Sequence, residues 1–214
     1  MATSTNRYQG EDIVVLEGLE PVRKRPGMYI GGVAMAGLHH LIWEVVDNSV
    51  DEAMNGHASE ITVTLHKDGR TITVSDNGRG IPIDKHPKTK KPALETVLTT
   101  LHAGGKFDSH NYKTAGGLHG VGASVVNALS KELTAVVRRD GSQYRMCFSK
   151  GRATTKLQRM KGSVRGSGTT ITYTPDPTIF PQTEFDSATL RARLATASFL
   201  HRGMKVTSVE EVAK

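Results

Sequence analysis

Cysteine is almost missing from this chain of 214 residues: Cys147 stands alone. No intrachain disulfide can form, and a reducing, cytoplasmic setting is expected. The expected place of Cys147 is as a small buried side chain in a strand. Aromatic residues make up only 5% of the chain, too few for a stacking platform along single-stranded nucleic acid. No apolar run approaches the ~20 residues that cross a bilayer, so no membrane association is expected. The first residues are polar and lack the apolar core of a signal peptide. The pattern GxxxxGK followed by Ser or Thr does not occur, which excludes a Walker A phosphate loop. Internal repeats and low-complexity stretches are also lacking.

What is present fits a soluble globular protein, with 37% hydrophobic and 23% charged residues. The length allows one large domain, or one domain with an appendage. A formal net charge of +7 raises the question of nucleic acid. The basic residues are scattered, however, and densest at Arg23-Lys24-Arg25, at 85–91 and at 156–165, without interleaved aromatics. Solvated loops account for most of this charge, and a polyanionic substrate or a DNA-handling partner is left open for the rest.

Along the chain, an N-terminal arm over 1–14 precedes one domain over 15–214. A short helix is expected over 13–25, ended by Pro26-Gly27. The strongest helical pattern covers 37–55, where Leu38, Leu41, Ile42, Val45, Val46, Ser49 and Ala53 share one face. Alternating strands at 61–65 and 71–75 flank Lys67-Asp68-Gly69-Arg70, a hairpin signal. A helix at 93–101 leads into a glycine-rich mobile loop at 103–121 and then another helix. Strands near 132–138 and 142–149 turn at Asp140-Gly141, a further strand covers 169–174, and a last helix covers 187–201. Early helices and hairpin-paired strands predict an α+β, two-layer sandwich with a mostly antiparallel sheet.

Three segments carry the chemistry. Gly116-Gly117-Leu118-His119-Gly120-Val121-Gly122 is a glycine loop running into a helix, a place where backbone N–H groups can hold phosphate, although such loops are also plain turns. Glu44, Asn48, Asp51 and Asn55 recur at spacings of four, three and four, on a stripe opposite the apolar face. That pattern also fits a solvated helix face, but Asn is a poor helix-interior residue and no basic residue lies between His40 and His57 to pair with the acids. A carboxylate one turn from an amide suits a magnesium-phosphate site, with Asn48 offering an oxygen to Mg²⁺ and Glu44 taking a proton from water. Finally, alternation places Ile72, Val74 and Asp76 on one strand face, so Asp76 points inward and needs donors. Asp76 before Asn77-Gly78 also reads as a turn initiator. As a functional group it would accept from the exocyclic amine of adenine, with Gly78 and Gly80 letting the backbone lie close and the Thr169 hydroxyl sharing the carboxylate or a bridging water.

These segments, in this order, resemble the three nucleotide-binding boxes of the GHKL ATPases. Arg23-Lys24-Arg25-Pro26-Gly27-Met28-Tyr29-Ile30-Gly31 and Leu101-His102-Ala103-Gly104-Gly105-Lys106-Phe107 are similar to the ATPase subunits of bacterial type II topoisomerases, the gyrase B and topoisomerase IV group. The run at 23–29 sets the chain apart from chaperone and mismatch-repair relatives. A basic DNA-binding module without catalysis would leave Glu44, Asn48 and Asp76 unexplained.

The resemblance implies a Bergerat (GHKL) ATP-binding fold, ATP and Mg²⁺ as cofactors, and a role in closing a clamp for DNA strand passage and supercoiling. It implies Glu44 as general base, Asn48 as the Mg²⁺ ligand, and Asp76 with Thr169 at adenine. Gly78, Arg79, Gly80, Ile81 and Pro82 line the base, and Gly116 through Gly122 cover the phosphates. Lys106 and Tyr112 belong to an ATP lid over about 103–121, and Tyr8, with Ile13, belongs to an arm exchanged with a second subunit. Glu52 with Arg79, and Arg139, match rim residues, which together with Asp76 place aminocoumarin-type inhibitors in the family. Implied partners are a DNA-cleaving A-type subunit, a second copy of the ATPase subunit, and DNA through further domains. On this resemblance the chain is expected to be an N-terminal fragment, monomeric and nearly inactive without the following domain and its γ-phosphate lysine.

Overall fold

The computed structural model describes residues 9, 12–13, 15–104, 120–201 and 203–212. Its framework is one eight-stranded sheet, in which the β-branched and alternating segments of the sequence find their partners. Strands β1 (Glu60–Leu65) and β2 (Ile72–Asp76) form an antiparallel hairpin with Ile61 opposite Asp76 and Leu65 opposite Ile72. The turn between them is held by Asp68, whose Oδ1 accepts from the N–H groups of Arg70 at 2.9 Å and Thr71 at 2.8 Å. A second hairpin joins β3 (Ser130–Arg139) to β4 (Ser142–Ser149). Its turn residues Asp140 and Gly141 both have positive φ, 52° and 69°, which matches the right-handed twist of the strands. Short strands β5 (Arg152–Ala153) and β6 (Gln158–Arg159) edge β4, β7 (Gly168–Pro175) lies between β3 and β2, and β8 (Lys205–Glu210) pairs with β1. The order is β5-β4-β3-β7-β2-β1-β8, and among the described residues only the β1–β8 pair is parallel.

One sheet face carries the core. Ile61, Val63, Ile72, Val74, Leu133, Ala135, Ile171 and Tyr173 are buried there against the helices α3 (Met35–Met54), α4 (Ala93–Thr99) and α5 (Gly122–Ala128). The opposite face is a hydroxyl ladder: Thr71 meets Thr174 at 2.9 Å, and Thr73 meets Thr172 and Ser75 meets Thr170 at 2.8 Å each. Cross-strand pairs of this kind let an open antiparallel face meet water without losing register. Cys147 sits on this ladder face, half-buried and 3.6 Å from Thr134 Oγ1. It is therefore not the core side chain expected; its strand neighbours Met146 and Phe148 are.

Elsewhere the expected elements shift in their bounds. The helix over 13–25 is confined to α1 (Glu20–Lys24), because Gly18 at φ 58° precedes it and Pro21 opens it. A separate turn of helix, α2 (Gly27–Ile30), follows and ends on left-handed Gly31. Helix α6 (Ser187–Leu200) is capped by Asp186, which accepts from Thr189 N–H at 2.9 Å. Strand β8 has no counterpart among the sequence expectations. As an edge strand it is mostly exposed, so its residues do not alternate in the way that marks a half-buried strand.

Candidate functional site

A cavity of about 1000 Å³ opens between α3, the ends of β2 and β7, the 79–104 segment and the start of α5. Its deep end is built on Asp76, the last residue of β2, which is only 7% exposed. Oδ1 accepts from Gly78 N–H at 2.9 Å and from Thr169 N–H at 3.1 Å, and Oδ2 accepts from Ser49 Oγ at 2.8 Å. Burial pushes the carboxyl above the ordinary carboxylate range; the three hydrogen bonds oppose this and the nearby Glu52 charge adds to it. The bond to Gly78 is also an Asx turn, so the turn-initiating and inward-pointing readings of Asp76 describe the same geometry. Thr169 contributes its backbone N–H, not its hydroxyl, to Asp76. The hydroxyl instead accepts from Ile81 N–H at 3.2 Å, which fixes the segment that carries Ile81 and Pro82 along the cavity wall.

Glycines make this approach possible. A Cβ on Gly168, at φ 145°, would overlap the carbonyl oxygen of Asp76, to which Arg138 Nη2 donates at 3.3 Å. A Cβ on Gly80, at φ 77°, would lie 2.8 Å from Arg138 O, and one on Gly78 would press between Glu52 and Asp76 at 3.0 and 3.1 Å. Around them, Arg79 grips Glu52 through Nε at 3.1 Å, Nη2 at 2.7 Å and its backbone N–H at 3.1 Å. Arg139 Nη1 donates to Gly80 O at 2.9 Å.

The other end is carried by α3 and α5. Glu44 and Asn48, one helical turn apart, both line the cavity. His40 Nε2 lies 2.9 Å from Glu44 Oε1, an i,i+4 contact that fixes the carboxylate's orientation, and the Glu44 side chain stays 31% exposed. At Gly122 a Cβ would overlap Glu44 Oε2, so the first turn of α5 rests directly on this carboxylate. Asp51 departs from the expected polar stripe: it is wholly buried, while Asn55 bonds back to Asp51 O at 2.8 Å.

The structure thus brings Glu44, Asn48, Glu52, Asp76, Arg79, Gly80, Ile81, Pro82, Arg139 and Thr169 to one cavity, with Gly120, Val121 and Gly122. Tyr8, Lys106, Tyr112, Gly116, Gly117, Leu118 and His119 lie outside the described residues. Two further contributors carry little signal in the sequence. Helical spacing assigns Ser49 to the apolar face, although a lone hydroxyl there signals a buried acceptor. His40 is betrayed only by its spacing from Glu44.

As for a metal, no three His, Cys, Asp or Glu side chains among the described residues form a ligating group. Asn48, one helical turn from the Glu44 carboxylate, instead suits an ion held mainly by phosphate and water, the usual manner of Mg²⁺. No helix among the described residues is long and apolar enough to cross a membrane.

Comparison with known proteins agrees with this geometry. Residues 35–179 match the family described as histidine kinase-, DNA gyrase B-, and HSP90-like ATPase. The B subunit of DNA gyrase from Thermotoga maritima is 54% identical over 200 residues, covering 94% of this chain and 31% of that protein. The B subunit of DNA topoisomerase 4 from Rickettsia conorii is 53% identical over 209 residues, covering 97% and 31%. The chain therefore spans about a third of the length of these relatives. Among solved structures, the 43K ATPase domain of Thermus thermophilus gyrase B, in complex with an aminocoumarin, superimposes with a TM-score of 0.79 at 45% identity, over 90% of this chain and 48% of that one. The matched stretch runs from the first turn of α3 past the end of β7 and so takes in both ends of the cavity. On that ground the chain belongs to the histidine kinase-, DNA gyrase B- and HSP90-like ATPase family.

Proposed function

We propose that this chain is the ATP-binding and ATP-hydrolysing module of a type II DNA topoisomerase, working in the cytoplasm to close a clamp during strand passage and supercoiling. The observation that carries the reading is the hydrogen-bond arithmetic at Asp76. Among the described residues two backbone N–H groups fill Oδ1, while Oδ2 has one donor, Ser49. A carboxylate oxygen accepts about two hydrogen bonds, so the remaining capacity is an acceptor at the cavity wall. The 6-amino group of adenine satisfies it; the carbonyl of guanine or hypoxanthine does not.

Chemistry then falls to the other end. Glu44, held by His40 and still wet, takes the proton from an attacking water. Asn48 would hold Mg²⁺, which supplies charge neutralisation on the phosphate oxygens when bound. The backbone of 116–122, with Lys106 and Tyr112, would close over the nucleotide, and Arg79, Glu52 and Arg139 would form the rim met by aminocoumarin-type inhibitors. Tyr8 on the 1–14 arm would reach the nucleotide of a second copy of the chain, and an A-type subunit would supply DNA cleavage. Calorimetry with ADP and GDP tests the base assignment. ADP alone should bind, and equal affinity for the two would contradict it.

A further inference from the structure

The lysine-rich stretch 85–91 takes no part in the chemistry above, yet it is an ordered turn against the mouth of the cavity. Lys85 and Pro92 form an antiparallel bridge. His86 N–H donates to Lys91 O at 2.8 Å, Lys90 N–H to His86 O at 2.9 Å, and Ala93 N–H to Asp84 O at 2.8 Å. Thr89 Oγ1 lies 2.7 Å from Thr96 Oγ1, which ties the turn to α4. Lys90 adopts a left-handed conformation, φ 60°. Lys85, Lys88, Lys90 and Lys91 are all exposed on this scaffold, and Lys88 lines the cavity itself. Lys91 is neutralised by Glu95 at 2.9 Å. Over residues 84–91 this leaves three lysines and one carboxylate, Asp84.

Behind the turn the sign reverses. Glu44, Asp47, Glu52 and Asp76 line the cavity among the described residues, against Arg79 and Arg139, and Arg79 is already paired with Glu52. An anion approaching this wall is repelled unless the mouth offsets it. We propose that the 85–91 turn is an electrostatic collar that steers anionic nucleotide into the cavity, raising its association rate and leaving its dissociation rate unchanged. Clefts rimmed by one sign of charge raise on-rates by about 10–10³-fold, and rim charges act on association more than on dissociation. The inference rests on the nucleotide reading of the site.

Stopped-flow binding of N-methylanthraniloyl-ADP with Mg²⁺, from about 0.02 M to about 0.3 M salt, tests it. Wild type is compared with a triple variant, Lys85→Gln, Lys88→Gln and Lys90→Asn; Asn at position 90 tolerates positive φ, and Lys91 is kept for Glu95. At low salt the variant should associate about tenfold more slowly, converging to within about twofold at high salt, with dissociation unchanged. Lys88→Arg alone should behave as wild type, and the uncharged methylanthraniloyl-adenosine should show no salt dependence. An unchanged association rate and salt slope in a variant of unaltered melting temperature overturns the collar, as does a loss confined to dissociation. A short DNA duplex that binds wild type but not the variant, with nucleotide kinetics untouched, makes the turn a phosphate-backbone site and overturns it too. If neither protein binds the labelled nucleotide, the nucleotide reading falls together with the collar.

Discussion

The two ends of the cavity solve opposite problems with the same functional group. Asp76 is buried and held by three donors from three elements: α3, the turn after β2, and β7. Glu44 is half-exposed on one helix, its described hydrogen bond coming from a histidine one turn away. Burial makes a hydrogen-bond acceptor selective, because a wrongly matched ligand leaves it unpaired in a dry place. A general base must instead reach water and exchange protons. On the proposed reading, the comparison teaches that recognition is built into the sheet, whereas catalysis is mounted on a helix that can present its carboxylate to solvent.

If this division holds, the largest single effect lies at the wet end. Glu44→Gln should cut hydrolysis in the full enzyme by about 10²–10⁴-fold while nucleotide binding stays within a few-fold. Steady-state turnover alongside calorimetry checks it, and equal losses in both would erase the distinction between the ends.

The dry end is probed next, by pH. The folded carboxyl of Asp76 titrates above its unfolded value, chiefly through burial, so ADP affinity should fall as pH drops through that raised pKa, sooner than an ordinary carboxylate would dictate. The sign for folding is reversed: in the window between the ordinary and raised values the folded state binds more protons, so this group's contribution to stability grows as pH falls. Asp176 acts the other way. There burial is outweighed by hydrogen bonds from Arg23 and Thr178, which leaves its carboxyl below the usual range. Subtracting the pH–stability profile of Asp76→Asn from that of wild type isolates the Asp76 share; a difference that grows with rising pH in the wild type's favour would contradict the assignment.

Smallest is the effect of Glu52→Gln. The Arg79–Glu52 pair is partly exposed, and pairs of that kind contribute about 1 kcal/mol or less. Removing the Glu52 charge should nonetheless shift the pH midpoint of ADP binding downward, because that charge helps to raise the Asp76 pKa. A midpoint unmoved by the substitution would separate the two carboxylates.

Much of this is legible in the residues. Period-2 alternation through Ile72 and Val74 already aims Asp76 inward, and the apolar stripe of α3 leaves Glu44 and Asn48 on a shared face. The unread part depends on contacts made between distant segments. Thr169 reads as a hydroxyl donor, but only the β2–β7 register reveals that its backbone N–H reaches Asp76 while its hydroxyl serves Ile81. Ser49 reads as part of the apolar face because its spacing fits the stripe; its purpose depends on a strand 27 positions away. Burial of Asp51 is equally hidden, since the helical period says which residues share a face but not what the chain later lays against it.

The most direct test of the account is the base preference of Asp76→Asn. Asparagine can keep its Oδ1 bonds from Gly78 and Thr169 and turn its NH₂ toward Ser49 and the cavity, so the fold should melt within about 1 kcal/mol of wild type. At the cavity wall, however, an acceptor becomes a donor. ADP affinity should fall by about 1.5–3 kcal/mol, or roughly 10–150-fold, while inosine diphosphate, which presents a carbonyl where adenine has an amine, should gain on ADP. Calorimetry with the two diphosphates decides the matter. An inverted or strongly narrowed preference is what the account predicts; a preference for ADP as large as that of wild type would show that Asp76 does not read the base.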